Sequence, residues 1–292
     1  HIGSTPAPLL RHGYSKPRLL QGCSENDEVS WAYHYPPFHP DYVDLAEGLP
    51  PLVVMVHGGP TARSSSAFHP LRQYFTSLGF AVLDVNHRGS TGFGRRFRQR
   101  LLGEWGNVDL TDVIACIDAL VDRDMIDPEA VFIRGGSAGG YLVLRALTCY
   151  PNRFAGGACY YGIGNLVTLA QITHKFESRY TDRLIGEAFD PQSAVNPGSH
   201  FHSRSPVNAL DRLCSPLIMF QGLEDRIVPP EVSREVVAQL RERGIPHAYH
   251  EYPGEGHGFR QTATRVDSLE KETKFYRSVL KANRGRPKAE ST

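Results

Sequence analysis

The chain has 292 residues, 40% of them hydrophobic and 22% charged, with 32 Lys and Arg set against 31 Asp and Glu. A net charge of +1 gives no global attraction to nucleic acid or an anionic membrane, and no stretch approaches the ~18 uninterrupted apolar residues of a spanning helix. Five scattered cysteines (Cys23, Cys116, Cys149, Cys159, Cys214), odd in number and without CxxC spacing, argue against a disulfide frame or zinc site and predict free thiols in the reducing cytoplasm.

Residues 1–27 are rich in Pro, Gly and Ser, show no clear period and are expected to be an extension. The first residue is His1, with neither an initiator Met nor a charged-then-apolar leader, so a processed or excised piece of something longer is expected. Residues 29–37, VSWAYHYPP, alternate like a strand until the prolines break it. From there strands and helices take turns. PLVVMVHGGP is an apolar strand ending in a Gly-Gly turn, FHPLRQYFTSLG a helix closed by Gly79, and FAVLDVNHRGS the next strand. NVDLTDVIACIDALVDRD has helical spacing, with Asp109 and Asp112 near its start, where the helix dipole favours acids. AVFIRGG (strand), AGGYLVLRALTCY (helix) and FAGGACYYG (strand) follow, then PLIMFQG (strand), PPEVSREVVAQLRERG (helix), PHAYHEYP (strand) and TRVDSLEKETKFYRSVLKA (helix). Strands too apolar to have a wet face, each followed by a helix, predict a mostly parallel central sheet covered by helices on both faces.

Ligands of such sheets bind at the carboxyl ends of the strands. After AVFIR comes Gly135-Gly136-Ser137-Ala138-Gly139-Gly140, a G-x-S-x-G pattern that fits a sharp strand-to-helix elbow with an exposed serine. Alone the pattern is weak; its position between strand and helix gives it weight. A serine hydroxyl needs a base, an orienter for that base and a home for the oxyanion. The acid should come next in the chain and the histidine last. QGLEDRIVPP presents Glu224 and Asp225 after a strand, with Asp225 preferred as the shorter acid nearer the turn. GEGHGFRQ presents His257 between glycines after the next strand, and it stands out among 13 histidines. For the oxyanion, the Ala138 N–H is one expected donor and Gly59, in the His57-Gly58-Gly59-Pro60 turn, the other.

Taken together, VHGGP, VNHRGSTGFGRRFR, EWGNVDLTD, RGGSAGGY, THKFESRYTDRLIG, SPVNALDRL, FQGLEDRIVPP and EGHGFR resemble the catalytic domain of the prolyl oligopeptidase family of serine peptidases, in its acylaminoacyl-peptidase and dipeptidyl-peptidase-like branch. The resemblance runs from about residue 28 to 280 in the family's order. It implies an α/β-hydrolase fold over residues 28–283 and peptide-bond hydrolysis through Ser137, Asp225 and His257; residues 284–292 read by their own sequence as a flexible basic tail. It also implies an oxyanion hole of Gly59 and Ala138. Relatives carry a β-propeller ahead of this domain, which the roughly 50 residues before PLVVMV cannot form. A homo-oligomer, or a propeller in another domain or subunit, is left open. Some relatives have a tyrosine where His57 stands, so His57 is expected at the site edge or supporting its loop.

For the substrate pocket, Tyr160, Tyr161 and Leu166 follow a strand end near the elbow, and Glu177 and Arg179 lie on what reads as a cap helix. The expected partner is a short peptide or acyl-peptide, with a carboxylesterase using the same three residues as the alternative. No metal or organic cofactor is called for. The tail Arg284-Gly285-Arg286-Pro287-Lys288 resembles the minor-groove core of an AT-hook, but nucleic acid is not expected as a partner of a neutral chain.

Overall fold

In the computed structural model, which describes residues 13–24, 28–40, 48–173 and 179–284, strands and helices alternate through the chain in two units, 1–131 and 132–292. The first unit starts with β1 (Arg18–Ser24), an element that the sequence reading left inside the extension. Leu20 and Gly22 are buried while their neighbours are exposed, yet only one large apolar side chain marks the buried face. The strand pairs antiparallel with β2 (Glu28–Tyr35), which pairs antiparallel with β4 (Ala81–Asn86); β3 (Leu52–Val56) runs parallel to β4. Every residue of β3 and β4 is buried: β3 is an unbroken apolar run, and the two polar residues of β4 are partnered, Asp84 by Arg72 and Asn86 by the Ser64 N–H.

Among the described residues three helices accompany these strands. In α1 (Pro70–Ser77), Pro70 opens the helix, His69 accepts the Leu71 N–H, and Gly79 follows at φ +89°. The short α2 (Arg95–Gln99) carries the exposed Arg95, Arg96 and Arg98. The third, α3 (Val108–Val121), packs on β1 and β2, where a Cβ on Gly22 would meet Cys116 N at 2.8 Å and Ser30 Oγ lies 3.2 Å from Cys116 Sγ. The two acids near its start do more than meet a dipole. Asp112 is fully buried against the Arg88 guanidinium at 2.8 Å, and Asp109 accepts the Gly106 N–H at 2.8 Å. Burial pushes the Asp109 carboxyl up to about 7.

In the second unit β5 (Val131–Gly136), β6 (Gly156–Tyr160), β7 (Leu217–Gly222) and β8 (His247–Tyr252) pair in that order, all parallel. Helix α4 (Ala138–Cys149) follows β5, and α5 (Leu166–Thr173), α6 (Tyr180–Ile185) and α7 (His200–Ser203) lie between β6 and β7. Helix α8 (Pro230–Glu242) joins β7 to β8, and α9 (Thr262–Arg284) ends the described chain.

Two neighbouring glycines in β6 show how both faces are covered. A Cβ on Gly157 would meet Leu147 and Val143 of α4, whereas one on Gly156 would meet Phe275 of α9. Successive strand residues face opposite sides, so α4 and α9 lie on opposite faces. Beneath β5 and β6 sits a buried ionic knot: Arg134 pairs with both oxygens of Glu272 at 2.8 and 3.2 Å, and the same carboxylate accepts the hydroxyls of Tyr160 and Tyr276. Among the described residues no helix is long and apolar enough to cross a membrane, and all five cysteines are free.

Candidate active site

Because β5 stops at Gly136 and α4 starts at Ala138, Ser137 makes the turn alone, at φ 58° and ψ −123°. A non-glycine residue at positive φ is strained and persists only where its surroundings fix it. Here the Ser137 N–H donates to the Tyr160 carbonyl at 3.0 Å. Small neighbours provide the room: a Cβ on Gly136 would come within 2.9 Å of the Tyr161 ring, and one on Gly140 within 2.6 Å of Gly162 Cα. Ser137 does not use its hydroxyl to cap its own helix, so Oγ is left for other partners.

That partner is His257, whose Nε2 lies 2.8 Å from Ser137 Oγ. On the other side of the ring, Nδ1 lies 2.8 Å from Asp225 Oδ2. An ionised carboxylate can only accept, so Nδ1 carries the proton and Nε2 presents a lone pair to the serine O–H. Asp225 is 3% exposed and does not face the imidazole unsupported. Its Oδ1 accepts the Ile227 and Val228 N–H groups, both at 2.9 Å, and Gln221 Nε2 approaches Oδ2 at 3.4 Å. Glu224 is exposed, and its backbone N–H donates to the Glu255 carbonyl. The imidazole meets the Tyr161 ring edge-on at 5.0 Å between centroids, and Phe259 packs on Tyr161 at 5.4 Å. This arrangement can draw a proton from Ser137, hold it on His257 and balance the resulting charge with Asp225.

The residues expected around this relay fare differently. Tyr161 stands beside it, at φ 38°. Tyr160, expected to line a pocket, instead turns into the interior: its ring stacks on Phe220 at 4.5 Å and its hydroxyl reaches Glu272 at 2.6 Å. Leu166, expected beside it, is also core; it is fully buried, and its N–H donates to Ser205 Oγ. Both corrections follow from strand parity and from a helix start, neither of which the short run CYYGIGNL reveals. Arg179 is exposed at the start of α6, and Glu177 lies outside the described residues.

In the first unit His57 is committed to its own surroundings. Its Nδ1 donates to the Gly58 carbonyl at 2.9 Å, Nε2 accepts the Ser90 hydroxyl at 2.7 Å, and the ring stacks on His87 at 4.5 Å. Burial holds the imidazole below its ordinary pKa, so the neutral ring fits both bonds. Gly59 sits at φ +113°, where a Cβ would meet the Ala62 N–H nitrogen at 2.8 Å. Sequence reasoning passed over Gln221, Phe259 and Glu255. The first two read as strand end and loop, and only Glu255, in the EGHG run beside the histidine, carried a signal. Among the described residues no group of His, Cys, Asp and Glu is placed to hold a metal.

Parallel strands flanked by helices, with a serine on the elbow after one of them, define an α/β-hydrolase. Residues 66–283 match the model of the prolyl oligopeptidase family, and the chain belongs to that family of serine peptidases. It is 37% identical over 216 residues to dipeptidyl peptidase family member 6 of Caenorhabditis elegans, which covers 74% of this chain and 29% of that protein. Dipeptidyl aminopeptidase BIII of Pseudoxanthomonas mexicana is 36% identical over 209 residues, 72% of this chain and 30% of its own. The structure of a puromycin-hydrolyzing peptidase from Mycobacterium tuberculosis superposes with a TM-score of 0.87 at 41% identity, covering 94% of this chain and 41% of that one. The chain thus spans less than a third of the length of these two curated relatives.

Proposed function

We propose that this chain hydrolyses peptide bonds of short peptides, releasing acyl-amino acids or dipeptides, with Ser137 as nucleophile, His257 as base and then acid, and Asp225 as its orienter. The carrying observation is the pair of 2.8 Å contacts that joins Ser137 Oγ, the imidazole and Asp225 on the strained elbow. Ser137 Oγ attacks the substrate carbonyl while its proton passes to His257 Nε2. The tetrahedral oxyanion is met by the Ala138 N–H, the first of α4, with the Gly59 N–H as second donor on the strength of the sequence pattern. His257 then protonates the departing amine, and a water deprotonated by the same ring releases the acyl group from Ser137. Tyr161 and Phe259 supply an aromatic wall beside the imidazole. The relatives named dipeptidyl peptidases and acylamino-acid-releasing enzymes support this substrate class.

The test pairs N-acetyl-alanyl p-nitroanilide with the matching p-nitrophenyl ester, for wild type and Ser137→Ala. An anilide needs its leaving group protonated by His257, whereas an activated ester barely does. Ser137→Ala is expected to cut anilide turnover by roughly 10³ or more with the fold intact. Undiminished turnover in that variant would end the serine mechanism. Cleavage of the ester alone would replace the peptidase reading with that of a carboxylesterase.

A further inference from the structure

Glu255 lies two residues before His257 and is 1% exposed, although nothing in the proposed chemistry asks for a second buried acid there. Both of its oxygens are spent on backbone just beyond the histidine. Oε2 accepts the Arg260 N–H at 2.8 Å and Oε1 the Gln261 N–H at 2.9 Å, so the carboxylate closes the loop around His257 from inside. The loop needs that closure because it is otherwise held by little regular structure. Gly254 and Gly258 take φ +73° and +90°, and a single bridge joins Gly256 to Gly258.

The backbone of Glu255 makes a second tie. Its carbonyl accepts the Glu224 N–H at 2.8 Å, next to Asp225. The two loops are also pressed together, since a Cβ on Gly222 would fall 2.4 Å from the Glu255 oxygen and 2.6 Å from the Gly256 oxygen. One residue thereby fixes the loop of the base through its side chain and the loop of the orienting acid through its main chain. Burial alone would favour the neutral acid. The backbone donors of Arg260 and Gln261, the Thr264 hydroxyl and the Arg260 charge nevertheless hold the carboxyl below its ordinary pKa, so it accepts both bonds as an anion.

We infer that Glu255 is a positioning residue: its carboxylate sets the register of the His257 loop against the Asp225 loop and so fixes the imidazole between Ser137 and Asp225. The inference rests on the peptidase reading for its kinetic consequence, but its geometric content stands apart from turnover. Displacing a base by about an ångström costs on the order of 100-fold in rate, whereas substrate contacts made elsewhere survive.

The experiment uses the whole chain with Glu255→Gln, which preserves volume but offers one acceptor where two N–H groups converge. Expected is a fall in kcat of about 100-fold on the anilide with KM unchanged. The far-downfield proton resonance of the His257 Nδ1–H, assigned by its loss in His257→Gln, should be broadened or lost while circular dichroism still shows the folded protein. Gly222→Ala, which forces the same two loops apart without altering any polar side chain, is expected to give the same pair of signatures and serves if Glu255→Gln does not fold. A folded Glu255→Gln with wild-type kcat and an unchanged resonance overturns the inference, and so does a rise in KM at constant kcat. If the wild type shows the resonance but no Ser137-dependent turnover, the peptidase reading fails, and the positioning role is judged on the resonance alone.

Discussion

Asp225 and Glu224 are adjacent, carry the same charge and meet different surroundings. The first is buried and accepts two backbone N–H groups besides the imidazole, and the second is exposed. The loop after β7 turns one side chain inward because Ile227 and Val228 aim their N–H groups at a carboxylate one methylene long. Asp225→Asn should therefore lower kcat by about 10³–10⁴, since an amide N–H facing Nδ1 would place the ring proton on Nε2, where it blocks the serine. Glu224→Gln should leave steady-state rates as they are, and measuring both variants on one substrate checks the assignment. At this scale the sequence was readable wherever chemistry limits the choice: a serine in an elbow, a histidine between glycines, an acid after a strand. It was unreadable where a side chain only supports another, as with Gln221, because a buried amide at a strand end has no pattern of its own.

Between elements, the contact that sequence spacing could least disclose is the one from β5 to α9. Arg134 and Glu272 stand 138 positions apart, inside segments that read correctly as strand and helix, and nothing in either segment names the other. The pair is buried, and both Glu272 oxygens are also hydrogen-bonded to tyrosines, so removing one charge strands the other. Arg134→Met is expected to cost about 3–5 kcal/mol in urea unfolding, and Arg134→Met with Glu272→Leu much less. Equal losses in the single and double variants would show that packing rather than charge sets the cost. The apolar runs of β3 and β7 gave themselves away by having no polar alternation. The short helices α5 and α7 escaped notice because four to eight residues hold too few turns for a period to appear.

Across the molecule as a whole, acid should act through histidines that fold neutral. His34 of β2 is 3% exposed, with neither ring nitrogen hydrogen-bonded, and burial followed by the Arg18 charge lowers its pKa to about 4. Burial and then His57 lower His87 to about 3. The native state thus binds fewer protons than the unfolded chain below the ordinary histidine value of 6.5. Stability from these groups is complete above pH 6.5 and drains away as the pH falls toward 4 and below. For His34 the loss approaches on the order of 3 kcal/mol at the acid end. His34→Phe should flatten the fall in urea midpoint between pH 7 and pH 4.5; an unchanged pH slope would show that this histidine is not the sensor.

Ser137 and His257 are 120 positions apart, and parallel pairing means that each strand between them must be entered only after a crossover has been laid down. Closing such distant segments is the slow part of forming a sheet of this kind. A refolding chain will thus regain helices, and much of its buried surface, before the serine finds its histidine. On the proposed function the Ser137–His257 relay is then a late arrival, and its chemistry waits on the pairing of β6, β7 and β8.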